Sequence, residues 1–190
     1  NLGIGIPTLA AEYLPKGVEI QSENGVLCVG KAPRPGKQDP DLINAGGGPI
    51  TVLPGASYFD SLMAFAMIRS GTVDVAVLGA LQVDELGNLA SWMVPGGRTP
   101  GIGGSMDLVV GAKKIIVATE HTDKHGKPKI VRRCHYPLTA EKEVDLIVTE
   151  LAVLQVTKEG LILREIARGL TVEDIRACMK YAIGIVTAED

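Results

Sequence analysis

The strongest constraint in this 190-residue sequence is how its apolar residues are parcelled out. They fall in short runs: Val18 to Gln21, Val26 to Val29, Leu42 to Ala45, Ile50 to Leu53, Val73 to Leu78, Ile115 to Thr119, Val144 to Val148 and Leu151 to Val156. Runs this short, bounded by glycine, proline or a polar turn, are strand-like. Pro54-Gly55 and Lys158-Glu159-Gly160 are read as turns, and Asp84 to Asn88 as the solvated turn of a hairpin. The polar segment His121 to Lys129 reads as an exposed hairpin tip, with Ile130-Val131 returning as its partner. Helical spacing is clear from Ser57 to Ser70, where Phe59, Leu62, Met63, Phe65, Ala66 and Ile68 supply the apolar surface and Gly71 the stop. A shorter helix opens at Pro7 and runs through Leu14. The last starts at Thr171-x-x-Asp174, a relative of the capping box, and runs to about Lys180. Many strands and few helices predict an open α/β sheet of mixed direction, flanked by helices. At this length residues 1–190 are expected to form one domain.

Bulk properties narrow the function classes. Nineteen basic against 22 acidic residues, with the basic ones scattered, argue against a nucleic-acid surface. No apolar run reaches the ~18 residues of a membrane span. Three cysteines, Cys28, Cys134 and Cys178, without a C-x-x-C spacing fit reduced thiols and a cytoplasmic location. The first residue is Asn1 rather than Met, so the true start is expected to lie upstream.

Chemistry concentrates in a few places. Ser22-Glu23-Asn24-Gly25 follows an apolar run, and Asn-Gly is a turn pair, so Glu23 should sit at a strand-to-turn corner. A carboxylate there can serve as base, metal ligand or covalent nucleophile, or simply be a solvated loop charge. A second concentration is Pro95 to Asp107, whose five glycines and two prolines suit a loop lining a ligand, or a long structural loop. Gly3-Ile4-Gly5 before Pro7 is either an anion-receiving helix start or a plain tight turn. His121, His125 and His135 do not form H-E-x-x-H, and Cys134-His135 is not a zinc spacing. There is no nucleophile-elbow serine and no P-loop. No metal and no tightly bound cofactor is therefore expected.

Several segments, in order, carry a family resemblance: Asn1 to Pro7, Gln21 to Gly25, Leu42 to Gly46, Leu53 to Ala56, Phe65 to Arg69, Leu78 to Val83, Gly103 to Val109 and Pro137 to Thr139. Together they resemble the family I coenzyme A transferases, specifically the second, β-type subunit of succinyl-CoA:3-oxoacid and acetate/acetoacetate enzymes. The resemblance implies the NagB/RpiA-like open α/β fold of those enzymes. It also implies that Glu23 is the nucleophile that becomes a glutamyl-CoA thioester, and that the Gly104 backbone N–H stabilises the oxyanion. Asn1 maps beside the reacting carboxylates, Gly101 and Gly103 along the CoA path, and Asn24 and Gly25 within the binding motif. CoA and acyl-CoA are implied as substrates, with a short-chain carboxylate such as acetoacetate. A separate α-type subunit is implied too, in an assembly of two of each.

Three positions depart from the family pattern. Cys28 stands where Gly or Ala is usual, either shrinking the pocket or filling core. Gly47 replaces a lysine of the animal 3-oxoacid enzymes, which puts use of a dicarboxylate in doubt. Arg98 lies in a segment that differs from the family's, facing an acyl or phosphate group, or solvent. Two rival readings are a non-catalytic CoA-binding subunit and a sugar-phosphate isomerase on the related fold.

Overall fold

The structure is a computed structural model that describes residues 1–97, 99, 101–179 and 186–187. Arg98 and Lys180, both singled out above, lie outside the described residues. The chain opens with residues 1–3 laid along a sheet edge and a 3-10 helix, Ile6–Glu12. Strands β1 (Gln21–Ser22), β2 (Val26–Val29) and β3 (Val52–Tyr58) then form a small antiparallel sheet in that order. Helix α1 (Ser61–Arg69) follows, and then β4 (Ala76–Leu78), β5 (Gln82–Asp84) and β6 (Leu89–Ala90). Helix α2 (Ser105–Gly111) precedes β7 (Ile115–Ala118) and β8 (Ile130–Val131). The rest comprises β9 (Leu146–Val148), β10 (Ala152–Thr157), β11 (Gly160–Ile166), α3 (Val172–Met179) and β12 (Val186–Thr187).

The main sheet has six strands in the order β12-β11-β10-β9-β7-β4. β4, β7 and β9 run parallel, β9-β10-β11 antiparallel, and β12 parallel to β11. The mixed direction expected from the sequence is what the sheet shows. Alternate residues point into one core, with Ala76 and Leu78, Ile115 and Val117, Ala152 and Leu154, Leu161 and Leu163 all buried. Ala64 and Ile68 of α1, Leu108 and Val109 of α2, and Ile175 and Met179 of α3 close over them.

Helix α1 begins at Ser61 rather than at the expected Ser57, because Ser57 and Tyr58 continue β3. Asp60 accepts a 2.9 Å hydrogen bond from Met63 N–H at the start of α1, and Gly71 after it has φ +74°. Thr171 and Asp174 exchange bonds reciprocally, the Thr171 N–H donating to Asp174 and the Asp174 N–H to Thr171 Oγ1. Helices α1 and α2 meet at Gly111, where a Cβ would lie 2.5 Å from the Ile68 carbonyl oxygen.

Further local expectations need correction, among them the strand expected at Leu42 to Ala45, which makes only an isolated bridge from Ile43 to Pro49. Pro54-Gly55 does not turn the chain but lies inside β3. β3 is the last strand of its sheet, and an edge strand tolerates a proline because one side needs no N–H donor. Ile130-Val131 pairs in parallel with β5 rather than returning within its own hairpin. The Asp84 turn is a hairpin, but Asp84 is not solvated: it is buried and accepts from the N–H groups of Leu86, Asn88 and Cys134. The 121–129 segment is a hairpin tip closed by a Thr122–Pro128 bridge, yet His121 at its base is fully buried.

Candidate active site

Glu23 sits at the tip of the β1–β2 hairpin. Ser22 pairs with Val26, and the Gly25 N–H donates to the Ser22 carbonyl at 3.0 Å. Gly25 has φ +113°, and its backbone packs so closely on the next element that a Cβ would stand 1.8 Å from the Phe59 carbonyl oxygen. Phe59 N–H in turn donates to the Gly25 carbonyl at 2.9 Å. The corner that aims Glu23 is thus clamped to the start of α1. It belongs to the small antiparallel sheet, not to the six-stranded one.

Two distant segments meet Glu23. The first is the N-terminal one. Leu2 bridges to Val77 of β4, with Gly3 N–H donating to the Val77 carbonyl at 2.7 Å, and this lays Asn1 beside β1. Asn1 Nδ2 donates to Glu23 Oε2 at 2.9 Å and to Gln21 Oε1 at 2.8 Å. The second is the glycine-rich loop. Gly104 ends it as the N-cap of α2, and a Cβ there would meet Phe65 Cζ at 3.1 Å and Glu23 Cγ at 3.5 Å. An added Cβ would press on the Phe65 ring and stand in van der Waals contact with Glu23. Gly101 and Gly103, with φ +98° and +53°, shape the exposed turn just before it and do not touch Glu23 through a virtual Cβ.

A third segment walls the other side. Asn44 Oδ1 accepts from the N–H groups of Gly46 and Gly48 at 2.9 Å each, folding residues 44–48 into a tight loop. The Asn24 amide donates to the Ile43 carbonyl at 2.7 Å, and the Ala45 N–H to Ser22 Oγ at 3.2 Å, so the motif itself holds this loop. Between the loop, Leu2, Ile4 and Thr8 lies a cavity of about 170 Å³ whose only charged lining residue, among the described residues, is Glu23. Gly47 is at the exposed loop tip, and Cys28 does not line this cavity. Cys28 is instead buried at φ +61°, where the β2–β3 register shifts. A left-handed position explains why glycine would suit it. A larger depression of about 790 Å³, between the Asp84 turn and residues 131–142, does not include Glu23. Burial and the nearby Asp84 push the Cys134 thiol up to about 12 there. Among the described residues no three His, Cys, Asp or Glu side chains are grouped to hold a metal ion.

Sequence reasoning missed two neighbours of Glu23. Gln21 is buried and bonded to Asn1; its signal was its place two residues before Glu23 in the same motif segment. Phe65, which backs Gly104, was read as helix surface and as part of a family segment, but not as part of the site.

An α/β protein in which a hairpin-tip carboxylate is bracketed by an amide and a glycine loop is the class that the geometry defines. The coenzyme A transferase family model matches residues 1–177. The chain belongs to that family. It is 54% identical over 179 residues to the β chain of the acetate CoA-transferase of Escherichia coli, covering 93% of this chain and 82% of that one. To the corresponding chain of a probable succinyl-CoA:3-ketoacid coenzyme A transferase of Bacillus subtilis it is 50% identical over 177 residues, covering 92% and 82%. Its fold is similar to that of the acyl-CoA transferase YdiF of E. coli O157:H7, with TM-score 0.71 and 22% identity over 98% of this chain and 38% of that longer one.

Proposed function

We propose that this chain is the β-type subunit of a CoA-transferase that moves coenzyme A between a short-chain acyl-CoA and a carboxylic acid. Acetoacetate or a similar 3-oxoacid is among its substrates. The observation that carries the reading is the convergence of Asn1 and Gly104 on Glu23, at the mouth of a small cavity. Support for the substrate class comes from the acetate and 3-ketoacid names of the relatives.

The chemistry runs through Glu23. One carboxylate oxygen attacks the thioester carbonyl carbon, the C–S bond breaks, and CoA leaves as thiolate. The thiolate then attacks the glutamyl carbonyl of the resulting anhydride and releases the first acid as its carboxylate. Glu23 is left as a glutamyl-CoA thioester, and a second carboxylate reverses both steps to leave as the new acyl-CoA. Anhydride and thioester are of similar energy, so every step is reversible, and the kinetics are ping-pong. The Gly104 N–H stabilises the oxyanion of each addition, a contribution on the order of 10²–10³ in rate for one such donor. Asn1 orients the carboxylate, Gly101 and Gly103 border the CoA path, and Asn24 and Gly25 hold its edge. CoA is a substrate here, not a resident cofactor.

An α-type subunit completes the site, two copies of each chain per assembly. The relatives support the α-type partner, since each is named as one of an enzyme's component chains rather than as the whole enzyme. Leu62, Met63, Met106 and Val110 support it too, apolar yet exposed on the two helices next to the site. No helix among the described residues is long and apolar enough to cross a membrane. With all three cysteines free, a cytoplasmic location is the one we infer.

The test is intact-mass analysis of the complex after mixing with acetoacetyl-CoA. A CoA-sized adduct mapping to Glu23 is expected, and Glu23→Gln should lose the adduct and on the order of 10³-fold or more in turnover. Turnover near wild type in that variant refutes the mechanism and leaves a non-catalytic CoA-binding role.

A further inference from the structure

We propose that Gln21 is a positioning residue for Glu23, acting through Asn1; the proposal rests on the role assigned to Glu23 above. Amide side chains are ambiguous by themselves, because oxygen and nitrogen can exchange places. Here a backbone carbonyl removes the ambiguity. Gln21 Nε2 points at the carbonyl oxygen of Ala64 at 3.3 Å, and a carbonyl oxygen only accepts. Gln21 Oε1 must then face the other way, toward Asn1, as an acceptor. That dictates Asn1 in turn: its nitrogen, not its oxygen, lies 2.8 Å from Gln21 Oε1. The second hydrogen of the same nitrogen is directed to Glu23 Oε2 at 2.9 Å.

The orientation is imposed rather than chosen by Asn1 itself. Its Oδ1 is buried without a hydrogen-bond partner. An asparagine free to choose would turn an unpaired buried oxygen toward a donor. Gln21 prevents this: rotation of the Asn1 amide would set oxygen against the Gln21 oxygen and against the Glu23 carboxylate at once. Gln21 is only 5% exposed, on β1, and its own anchor sits in α1, where Ala64 is fully buried. The relay therefore ties the carboxylate to the rigid core.

Its consequence is a division of labour between the two carboxylate oxygens. Oε2 is held by an N–H, and Oε1 is left as the attacking atom. When the thiolate later adds to the glutamyl carbonyl, the same Asn1 N–H is already in place at the oxygen that takes up charge.

The test uses the complex with its α-type partner and acetoacetyl-CoA. Gln21→Met keeps length and burial but offers Asn1 only the weak acceptor of a thioether and gives Ala64 no donor. It should lower kcat about tenfold to a hundredfold, leave KM for acyl-CoA within about threefold, and still form the adduct on Glu23, only more slowly. The double variant with Asn1→Ala should be no slower than Asn1→Ala alone, because the two act as one unit. Gln21→Glu is the second probe. Protonated, its carboxyl has the donor and acceptor of the amide. Burial and the Glu23 charge favour that neutral form, so its kcat should approach wild type at low pH and fall as pH rises, where wild type does not. Additive losses in the double variant, a KM effect alone, or a Gln21→Glu profile parallel to wild type would each overturn the proposal. Absence of any adduct in wild type would overturn the proposed function instead.

Discussion

Replacing Gly25 by alanine tests the clamp that aims Glu23. A Cβ at this position would stand 1.8 Å from the Phe59 carbonyl oxygen and 3.0 Å from its carbon. Those atoms are backbone, so no side-chain rotation relieves the overlap. The β3–α1 corner has to move by more than about 1 Å, which breaks the Phe59 N–H bond to the Gly25 carbonyl and disturbs the adjacent Asp60 cap. A lost backbone bond costs about 1 kcal/mol, a lost cap about the same, and φ +113° in a non-glycine residue about 1–3 kcal/mol. The total is about 3–5 kcal/mol, or about 10 °C in Tm for a chain of this size. Gly17→Ala is the matched control: φ is +87° there, but nothing lies within 4 Å of the added Cβ, so it pays for backbone strain alone. Thermal unfolding followed by circular dichroism should separate the two variants widely. Turnover should fall in Gly25→Ala even at temperatures where it remains folded, since the carboxylate is two residues away. A Gly25→Ala midpoint within about 2 °C of Gly17→Ala would refute the clamp.

Three further outcomes follow from single positions. Gly104→Val should cut kcat by about ten- to a hundredfold with little change in KM, because its side chain wedges between Phe65 and Glu23 and displaces the reacting groups; steady-state kinetics that show a pure KM effect would count against it. His121 is buried, and that burial holds its pKa below the usual imidazole value. The unfolded chain therefore takes up a proton near pH 6.5 that the folded one resists, so stability is complete above about 6.5 and falls as pH drops below it; His121→Gln should flatten that slope in melts at descending pH. Cys28→Gly should stay within about 1 kcal/mol of wild type while Cys28→Val loses more, an order opposite to that of an ordinary buried site, because a β-branched residue is the one least suited to φ +61°; chemical denaturation decides it.

Legibility of the fold tracked how local each determinant was. The start of α1 was placed at Ser57 because the Asp60 cap was not recognised, whereas the body of α1, its Gly71 stop and the Thr171–Asp174 cap could be read because their determinants lie within a few residues. The Glu23 corner was readable for the same reason, through Asn24-Gly25. Helix α2 was not, because it follows a glycine loop and begins at Gly104 without a side-chain cap. The course of β3 through Pro54-Gly55 was not either, since only its edge position excuses them. Family resemblance pointed to Asn1 and Gly104, but not to what sets them. Asn1 reaches Glu23 because Leu2 bridges to Val77, and Val77 lies where the pairing of β4 with β7 puts it. Gly104 reaches Glu23 because Gly111, one helix length on, allows α2 to seat against the Ile68 backbone of α1. Gln21 depends on the same helix through the Ala64 carbonyl. The carboxylate is thus oriented by the main sheet's edge and by the α1–α2 packing together, neither of which is encoded near Glu23. A core substitution at Ile68 or Gly111 is therefore expected to act on turnover through the site's geometry, before it acts through loss of the fold.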